Sequence, residues 1–242
     1  MPTMIKYHSL FLLLMLCSIA TFAQNTDFQA RLIPSVEYQF NKKWKAAAEY
    51  RYSLENDLQK FRSSAVQFEL KYNITKKLSL DAGYRFTTSY EEDNHRLFAA
   101  VQYDHKLKRF TLSSTTKFQF STNSFDQDFM NYYKEPVYML REKIALEYNI
   151  PKSKLSVFTA TEIFLKLDSQ PFAKFNRARY SLGAGYDFKR AGKLGVSMFY
   201  DDKYSPLKDD RIVLVVKHTL SINDLIGKKE KKKKKEKSDQ QK

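Results

Sequence analysis

The sequence predicts an all-β protein, specifically an antiparallel up-and-down transmembrane β-barrel of ten to twelve strands. Three observations support this fold class. Apolar and polar residues alternate with a period of two over runs of roughly ten residues, which is the length of a membrane-crossing strand. A Tyr followed by a short basic turn ends such a run five times. The connections between runs are alternately short and long, as in barrels with short periplasmic turns and longer outer loops.

The five repeats of Tyr and basic turn each predict one β-hairpin, because a new alternating run opens directly after the turn. The repeats are Tyr38–Trp44, Tyr72–Leu78, Tyr103–Phe110, Tyr148–Leu155 and Tyr186–Leu194.

Eleven alternating runs follow one another with no helical pattern between them. Single-chain bacterial barrels usually have an even number of strands. We therefore favour twelve strands and regard residues 121–135 as the least certain stretch. The predicted runs are Asp27–Phe40, Trp44–Leu54, Arg62–Tyr72, Leu78–Tyr90, His95–His105, Phe110–Phe120, Tyr138–Ile150, Leu155–Leu167, Arg177–Phe188, Leu194–Tyr204 and Arg211–Ile222.

The apolar face of these runs is almost free of charge, which favours contact with lipid over a soluble barrel with an apolar core. The clear exception is Glu142, between Leu140 and Ile144, which we interpret as a bulge. A soluble β-barrel carrier of an apolar ligand, with the aromatic face turned inward, remains an alternative. It would remain soluble after osmotic shock, whereas a membrane barrel would require detergent.

Aromatic residues collect at the strand ends, as in the interfacial girdles of membrane barrels. The rim of the short turns is basic, whereas the rim of the longer loops is acidic and includes Asp201-Asp202 and Asp209-Asp210. The predicted interface aromatics of the basic rim are Tyr38, Trp44, Tyr72, Tyr103, Tyr148 and Tyr186.

The domain organisation has three parts. Residues 1–23 combine an early Lys, an apolar run and a small-residue cleavage site, and therefore predict a signal peptide. Residues 24–227 are predicted to form the outer-membrane β-barrel. Residues 228–242 are predicted to be a disordered polylysine tail in the periplasm of a Gram-negative bacterium. Removal of the leader removes Cys17, the only cysteine, so no disulfide is expected.

The tail contains no apolar residue and therefore has no means of forming a core. It is either a solvated extension or an electrostatic contact with anionic lipid headgroups or cell-wall polymer. Much of the formal net charge of +15 comes from this segment, so no nucleic-acid partner is predicted for the barrel. The candidate contact residues are Lys231, Lys232, Lys233, Lys234 and Lys235.

The polar face carries charges of both signs, and confined charges must pair or stay hydrated. Either salt bridges fill the lumen, or the lumen is a narrow polar pore whose basic excess favours anions. Arg177 and Arg179, adjacent on one inner face, are a local indication of an anion contact. The candidate lumen-lining residues are Glu49, Arg51, Glu69, Arg85, Arg141, Glu162, Arg177 and Arg179.

No cofactor, metal site or enzymatic activity is predicted. The loop acids Asp201-Asp202 and Asp209-Asp210 could hold Ca²⁺, but acidic loops are ordinarily solvated. A barrel hydrolase acting on lipid is the alternative, because His105 and Ser114 both fall on the outward parity. No Gly-x-Ser-x-Gly motif is present.

Four segments together resemble the domain of unknown function 2490 family. They are the Ala23-Gln24 leader end, the Asn-Lys-Lys-Trp44 turn, the Glu49–Tyr52 run and the Ala82–Phe86 strand. The resemblance covers essentially all of the mature chain. It implies an outer-membrane barrel of Gram-negative bacteria without an assigned activity, and it implies no functional residues. The predicted role is a small porin-like channel or a structural and interaction barrel.

Overall fold

A computed structural model of the 242-residue chain describes residues 26–90, 92–124, 136–167, 174–188, 191–203 and 210–226. The predicted signal peptide and the tail, with Lys231–Lys235, lie outside the described residues. The described residues form eleven strands. These are β1 (Asp27–Gln39), β2 (Trp44–Glu55), β3 (Lys60–Asn73), β4 (Leu78–Thr88), β5 (Asp93–Leu107), β6 (Phe110–Thr122), β7 (Val137–Asn149), β8 (Leu155–Lys166), β9 (Lys174–Asp187), β10 (Lys193–Lys203) and β11 (Arg211–Ser221).

In two of the basic turns, a polar side chain at the start of the turn binds the backbone and helps to close the hairpin. In the β1–β2 turn, Asn41 Oδ1 accepts the N–H groups of Lys43 and Trp44 at 2.8 and 3.0 Å. In the β3–β4 turn, Thr75 Oγ1 accepts those of Lys77 and Leu78 at 3.1 and 3.0 Å. Such bonds are the reason that Asn and Thr favour tight turns. The lysines of these two turns, Lys42, Lys43, Lys76 and Lys77, are exposed to solvent.

The sheet closes into a barrel in which each strand pairs with its sequence neighbours, and β1 pairs with β11. The all-β barrel predicted from the sequence is thus confirmed, and eleven strands fall within the predicted range. The preference for twelve is wrong for the described part of the chain. With an odd count, the first and last strands run in the same direction, so the β1–β11 pair is parallel, in register from Asp27↔Arg211 to Glu37↔Ser221. The predicted antiparallel pairing holds for the other described strand pairs, and this seam is the exception.

Side chains reinforce the parallel seam near the short-turn rim. Ser35 Oγ lies 2.7 Å from Thr219 Oγ1. Residues 222–226 form a helical turn after β11. In that turn, Asn223 Oδ1 accepts the Gln39 N–H at 2.7 Å, and its Nδ2 donates to the Gln39 carbonyl at 2.9 Å. The described chain therefore ends at the short-turn rim, while β1 begins at the rim of the longer loops.

The distribution of polarity is inverted relative to a soluble barrel. Large apolar side chains point outward and are exposed, including Phe68 (57%), Ile144 (57%) and Leu182 (65%). Polar side chains such as Gln67 and Glu162 point inward and are buried. The alternative of a soluble carrier with its aromatic face turned inward is therefore wrong. An apolar outer wall around a polar interior is the arrangement of a membrane-spanning barrel.

No helix among the described residues is long and apolar enough to cross a membrane.

Glu142 lies on the outer wall without a bulge, so the interpretation of this residue as a bulge is wrong. Its strand pairs in unbroken register on both sides. The carboxylate is held by two hydroxyls of β6, since Ser114 Oγ donates to it at 3.0 Å and Thr116 Oγ1 at 2.6 Å. The register shifts occur elsewhere, at Ser53/Leu54 and Phe164/Leu165. Local hydroxyl donors thus replace water for this outward carboxylate.

Two inward aromatic rings pack on glycines of the neighbouring strand. Phe98 covers Gly83, and Phe158 covers Gly183. A Cβ at Gly83 would lie 2.5 Å from the Phe68 carbonyl oxygen and would also collide with the Phe98 ring. The wall therefore has no room for a larger residue at this position. At Gly195, by contrast, the nearest atom to an added Cβ is 3.9 Å away.

Replacing Gly83 with Ala should destabilise the barrel, because a backbone oxygen and a packed ring must both move. Overpacking of this kind costs about 1–3 kcal/mol. Heat-modifiable migration on gels measures the effect, and Gly83→Ala should convert to the unfolded form at a lower temperature than the unmodified protein. Gly195→Ala is the matched control and should convert near the original temperature. Equal behaviour of the two variants would contradict this packing account.

Candidate functional site

The barrel encloses a cavity of about 880 Å³ whose wall is predominantly charged and polar. Among the described residues, thirteen Arg and Lys side chains but only six Asp and Glu side chains line it. The cationic residues come from nine of the eleven strands, so positive charge surrounds the cavity. The lining cations are Arg31, Arg51, Arg62, Lys71, Arg85, Arg96, Lys117, Arg141, Lys143, Arg177, Arg179, Arg211 and Lys217.

All eight residues predicted to line the lumen lie on the wall of this cavity. Glu49 pairs with Arg51, whose Nε donates at 3.0 Å, and with Lys217 Nζ at 2.8 Å. Arg141 Nε and Nη2 both donate to Glu162, at 2.9 and 2.6 Å. Arg141–Glu162 connects the neighbouring strands β7 and β8, Glu49–Arg51 lies within β2, and Glu49–Lys217 joins β2 to β11 across β1.

Glu69 and Arg85, the next two predicted lumen residues, meet amides. Gln67 Nε2 donates to Glu69 at 3.2 Å, while Gln67 Oε1 accepts from Arg85 Nε at 2.7 Å. The Gln67 side chain is almost fully buried and bridges the Glu69 carboxylate and the Arg85 guanidinium through these bonds. Glu69 has no ion pair within 4 Å among the described residues.

Asp201 is the acidic centre of the cluster around Arg177 and Arg179, and it is fully buried. Arg179 binds both of its oxygens, at 2.5 and 2.9 Å. Arg211 donates to Oδ2 at 2.9 and 2.7 Å, and Arg177 Nε lies 4.0 Å away. Three guanidinium groups thus share one carboxylate. The prediction that Asp201 belongs to the acidic loop rim is wrong, because the residue lies in β10 and points inward.

Sequence reasoning also missed two inward phenylalanines on which these arginines stack. Arg177 lies 4.0 Å and Arg141 4.5 Å from the centre of the Phe164 ring. Arg179 lies 3.9 Å from that of Phe199. Stacking orients a guanidinium while leaving its N–H edge available to acceptors. The inward parity of Phe164 and Phe199 was the available signal, but the aromatics of the outer face obscured it.

Five lining cations have no carboxylate within 4 Å among the described residues. Lys117 instead lies 4.4 Å from the centre of the Phe98 ring. The field of the wall is therefore positive even after its internal ion pairs are counted. The five are Arg31, Arg85, Arg96, Lys117 and Lys143.

The six predicted interface aromatics all lie near the short-turn rim, at strand ends or opposite them. Trp44 packs against Tyr72 with ring centres 4.6 Å apart, and Tyr186 packs against Phe188 at the same distance. Tyr103 is 45% exposed and pairs with the first residue of β4. The remaining two are Tyr38, which contacts Phe40, and Tyr148, which contacts Phe110.

The described residues contain no group of three or more His, Cys, Asp or Glu side chains positioned to hold a metal ion. Asp209 lies outside the described residues, and the Asp201 carboxylate is occupied by arginines. No hydrogen bond joins the candidate hydrolase residues His105 and Ser114 among the described residues. Ser114 lies opposite Tyr103 and donates to Glu142, whereas His105 lies opposite Leu112.

A closed, outwardly apolar wall around a charged cavity defines a membrane-spanning β-barrel. The chain belongs to the family described as "Protein of unknown function (DUF2490)", whose model matches residues 28–211. The resemblance seen in the sequence is thereby confirmed. No curated protein matches the chain.

Solved structures similar to this chain include two porins and the protein OccAB4, all at low identity. The NanC porin has a TM-score of 0.47 and 12% identity, over 72% of this chain and 86% of that one. A porin refined at 1.8 Å resolution has a TM-score of 0.36 and 13% identity, over 72% and 56%. OccAB4 of Acinetobacter baumannii has a TM-score of 0.35 and 13% identity, over 73% and 53%. The chain thus spans just over half the length of the last two.

Replacing Asp201 with Asn should destabilise the barrel strongly. The change removes the only charge that the three surrounding arginines share, and breaking a buried ion pair costs about 3 kcal/mol or more. Urea unfolding in detergent, followed by the fluorescence of the single Trp44, measures the effect. The control is Asp202→Asn, whose side chain is exposed and should leave the midpoint unchanged. Similar midpoints for both variants would show that the cluster does not stabilise the fold.

Trp44 offers a direct test of the interfacial rim because it is the only tryptophan. In vesicles, lipids brominated close to the headgroup should quench its emission more strongly than lipids brominated near the chain end. A variant that combines Trp44→Phe with Phe68→Trp moves the probe to the outer wall, and the order should then reverse. Quenching of neither probe by brominated lipid would contradict the predicted membrane interface.

Proposed function

We propose that the protein is an outer-membrane channel for small anions of a Gram-negative bacterium, with the barrel lumen as the path. The observation that carries this proposal is the excess of cations on the cavity wall, thirteen against six acidic side chains among the described residues. Rings of Arg and Lys favour the passage of anions through a narrow pore. Salt bridges that merely fill a lumen would require closer matching of the two signs.

The positive charges are also close enough to act on one another across the lumen. Arg51 on β2 exerts a Coulombic effect on Arg31, Arg85, Arg96 and Arg141, which belong to β1, β4, β5 and β7. Arginines from several sides of the barrel therefore converge on a common region. A solute in this region would experience their combined field.

We further propose that the short turns face the periplasm and the longer loops face outward. The chain leaves β11 at the short-turn rim, where Asn223 is tied to Gln39, and this supports a periplasmic position for the following tail. There, Lys231–Lys235 would contact anionic lipid headgroups or cell-wall polymer electrostatically. The arrangement of Ser114 and His105 lends the lipid hydrolase less support than the channel, so we propose no enzymatic activity.

Purified protein in planar bilayers under a KCl gradient should give current steps with an anion-selective reversal potential. Lys117→Gln should lower the anion preference, because a unit charge about 10 Å from the ion in water contributes about 0.4 kcal/mol, roughly a twofold change in permeability. Lys76→Gln, in an exposed short turn, is the matched control and should have little effect since salt screens it. Absence of current steps at any voltage, or cation selectivity, would overturn the proposal.

A further inference from the structure

Arg85 and Arg96 form an unusual pair of like charges on the cavity wall. They lie directly opposite each other on the antiparallel strands β4 and β5. Both side chains point into the cavity. Cβ atoms of opposed residues are about 5 Å apart, and like charges in this position destabilise a sheet. Such a pair requires a compensating negative charge.

The structure provides only neutral acceptors for these two guanidinium groups. Arg85 donates from Nε and Nη2 to Gln67 Oε1, the first of these bonds at 2.7 Å. Arg96 donates from Nε to Ser121 Oγ at 3.0 Å and from Nη2 to Asn94 Oδ1 at 3.4 Å. Neither has a carboxylate within 4 Å among the described residues. Their Nη1 groups have no acceptor there.

The remaining nearby charges increase the local positive potential. Arg51 acts on both residues, Arg31 also acts on Arg85, and Arg141 and Arg179 also act on Arg96. Among the charges that act most strongly on Arg85, the acidic group is Glu49. Glu49 is already bound to Arg51 and Lys217, so its charge is compensated. The nearby charged groups therefore do not compensate the positive charges of Arg85 and Arg96.

We propose that Arg85 and Arg96 form a binding site for the oxyanion group, carboxylate or phosphate, of a small solute. Guanidinium forks bind such groups through paired, charge-assisted hydrogen bonds. The two open Nη1 groups provide donors for this purpose. The cavity of about 880 Å³ accommodates a small organic acid or phosphate ester as well as an inorganic ion. That the bound solute is one in transit depends on the proposed channel, whereas binding itself does not require conduction.

The experiment measures binding of two probes, inorganic phosphate and acetate, to the purified full chain in detergent by titration calorimetry in chloride buffer. At least one probe should bind saturably. Arg96→Gln and Arg85→Gln should each weaken binding roughly tenfold, the loss expected for hydrogen bonds to a charged group. Arg96→Lys keeps the charge but removes the fork, and should give an intermediate affinity. Heat-modifiable migration on gels verifies that each variant is folded.

Arg62→Gln is the matched control. Arg62 lines the same cavity but is paired with Glu55 at 2.8 Å, so its loss should change the affinity less than twofold, well below the roughly tenfold loss at the site. Binding of phosphate alone, of acetate alone or of both shows whether the site accepts phosphates, carboxylates or both classes of oxyanion. Absence of saturable binding, or binding that Arg85→Gln and Arg96→Gln leave unchanged, would overturn the site. Binding without bilayer current would overturn the proposed channel but support the oxyanion site. Bilayer current without binding would support the channel but overturn the site.

Discussion

Closure of the hydrogen-bonded wall is the constraint on which the rest of the structure depends. In lipid, an unpaired strand edge would leave a row of backbone N–H and C=O groups without partners, at several kcal/mol for each group. The described strands avoid this by joining β1 to β11. Because the strand number is odd, this last pairing is parallel, and it places the start of β1 and the end of β11 at opposite rims. The seam is therefore a consequence of closure.

Closure also determines the electrostatics of the interior. Once the alternate apolar residues face lipid, all of their polar neighbours must share a small enclosed space. Charges in such a space must pair or remain hydrated. Among the described lining residues, the acidic side chains are too few to neutralise the basic ones, and Asp201 is shared by three arginines. The surplus of positive charge is thus a property of the whole wall, and it links the fold to the proposed anion path.

The arginines that line this space are held in place in two ways. Some are bound to carboxylates, as Arg141 is to Glu162. Others donate to neutral side chains, as Arg85 does to Gln67. A carboxylate neutralises the charge of its arginine locally, whereas a neutral acceptor leaves that charge in the lumen. A wall with both kinds of arginine is stable and yet still attracts anions.

The amino-acid sequence by itself determined the strands, the face each residue takes and the rim on which the aromatics collect. These properties depend on a local period of two and on turn chemistry, which are visible in short segments. Only the tertiary structure decided which strand closes the barrel and how the charges pair. An alternation with a period of two specifies the face of the sheet on which a side chain lies. It does not specify which residue of another strand lies beside it. The partners of Asp201 lie 10 to 24 residues away, and those of Glu142 lie 26 and 28 residues away. The opposition of Arg85 and Arg96 likewise arises from strand register, which is set when the whole wall closes.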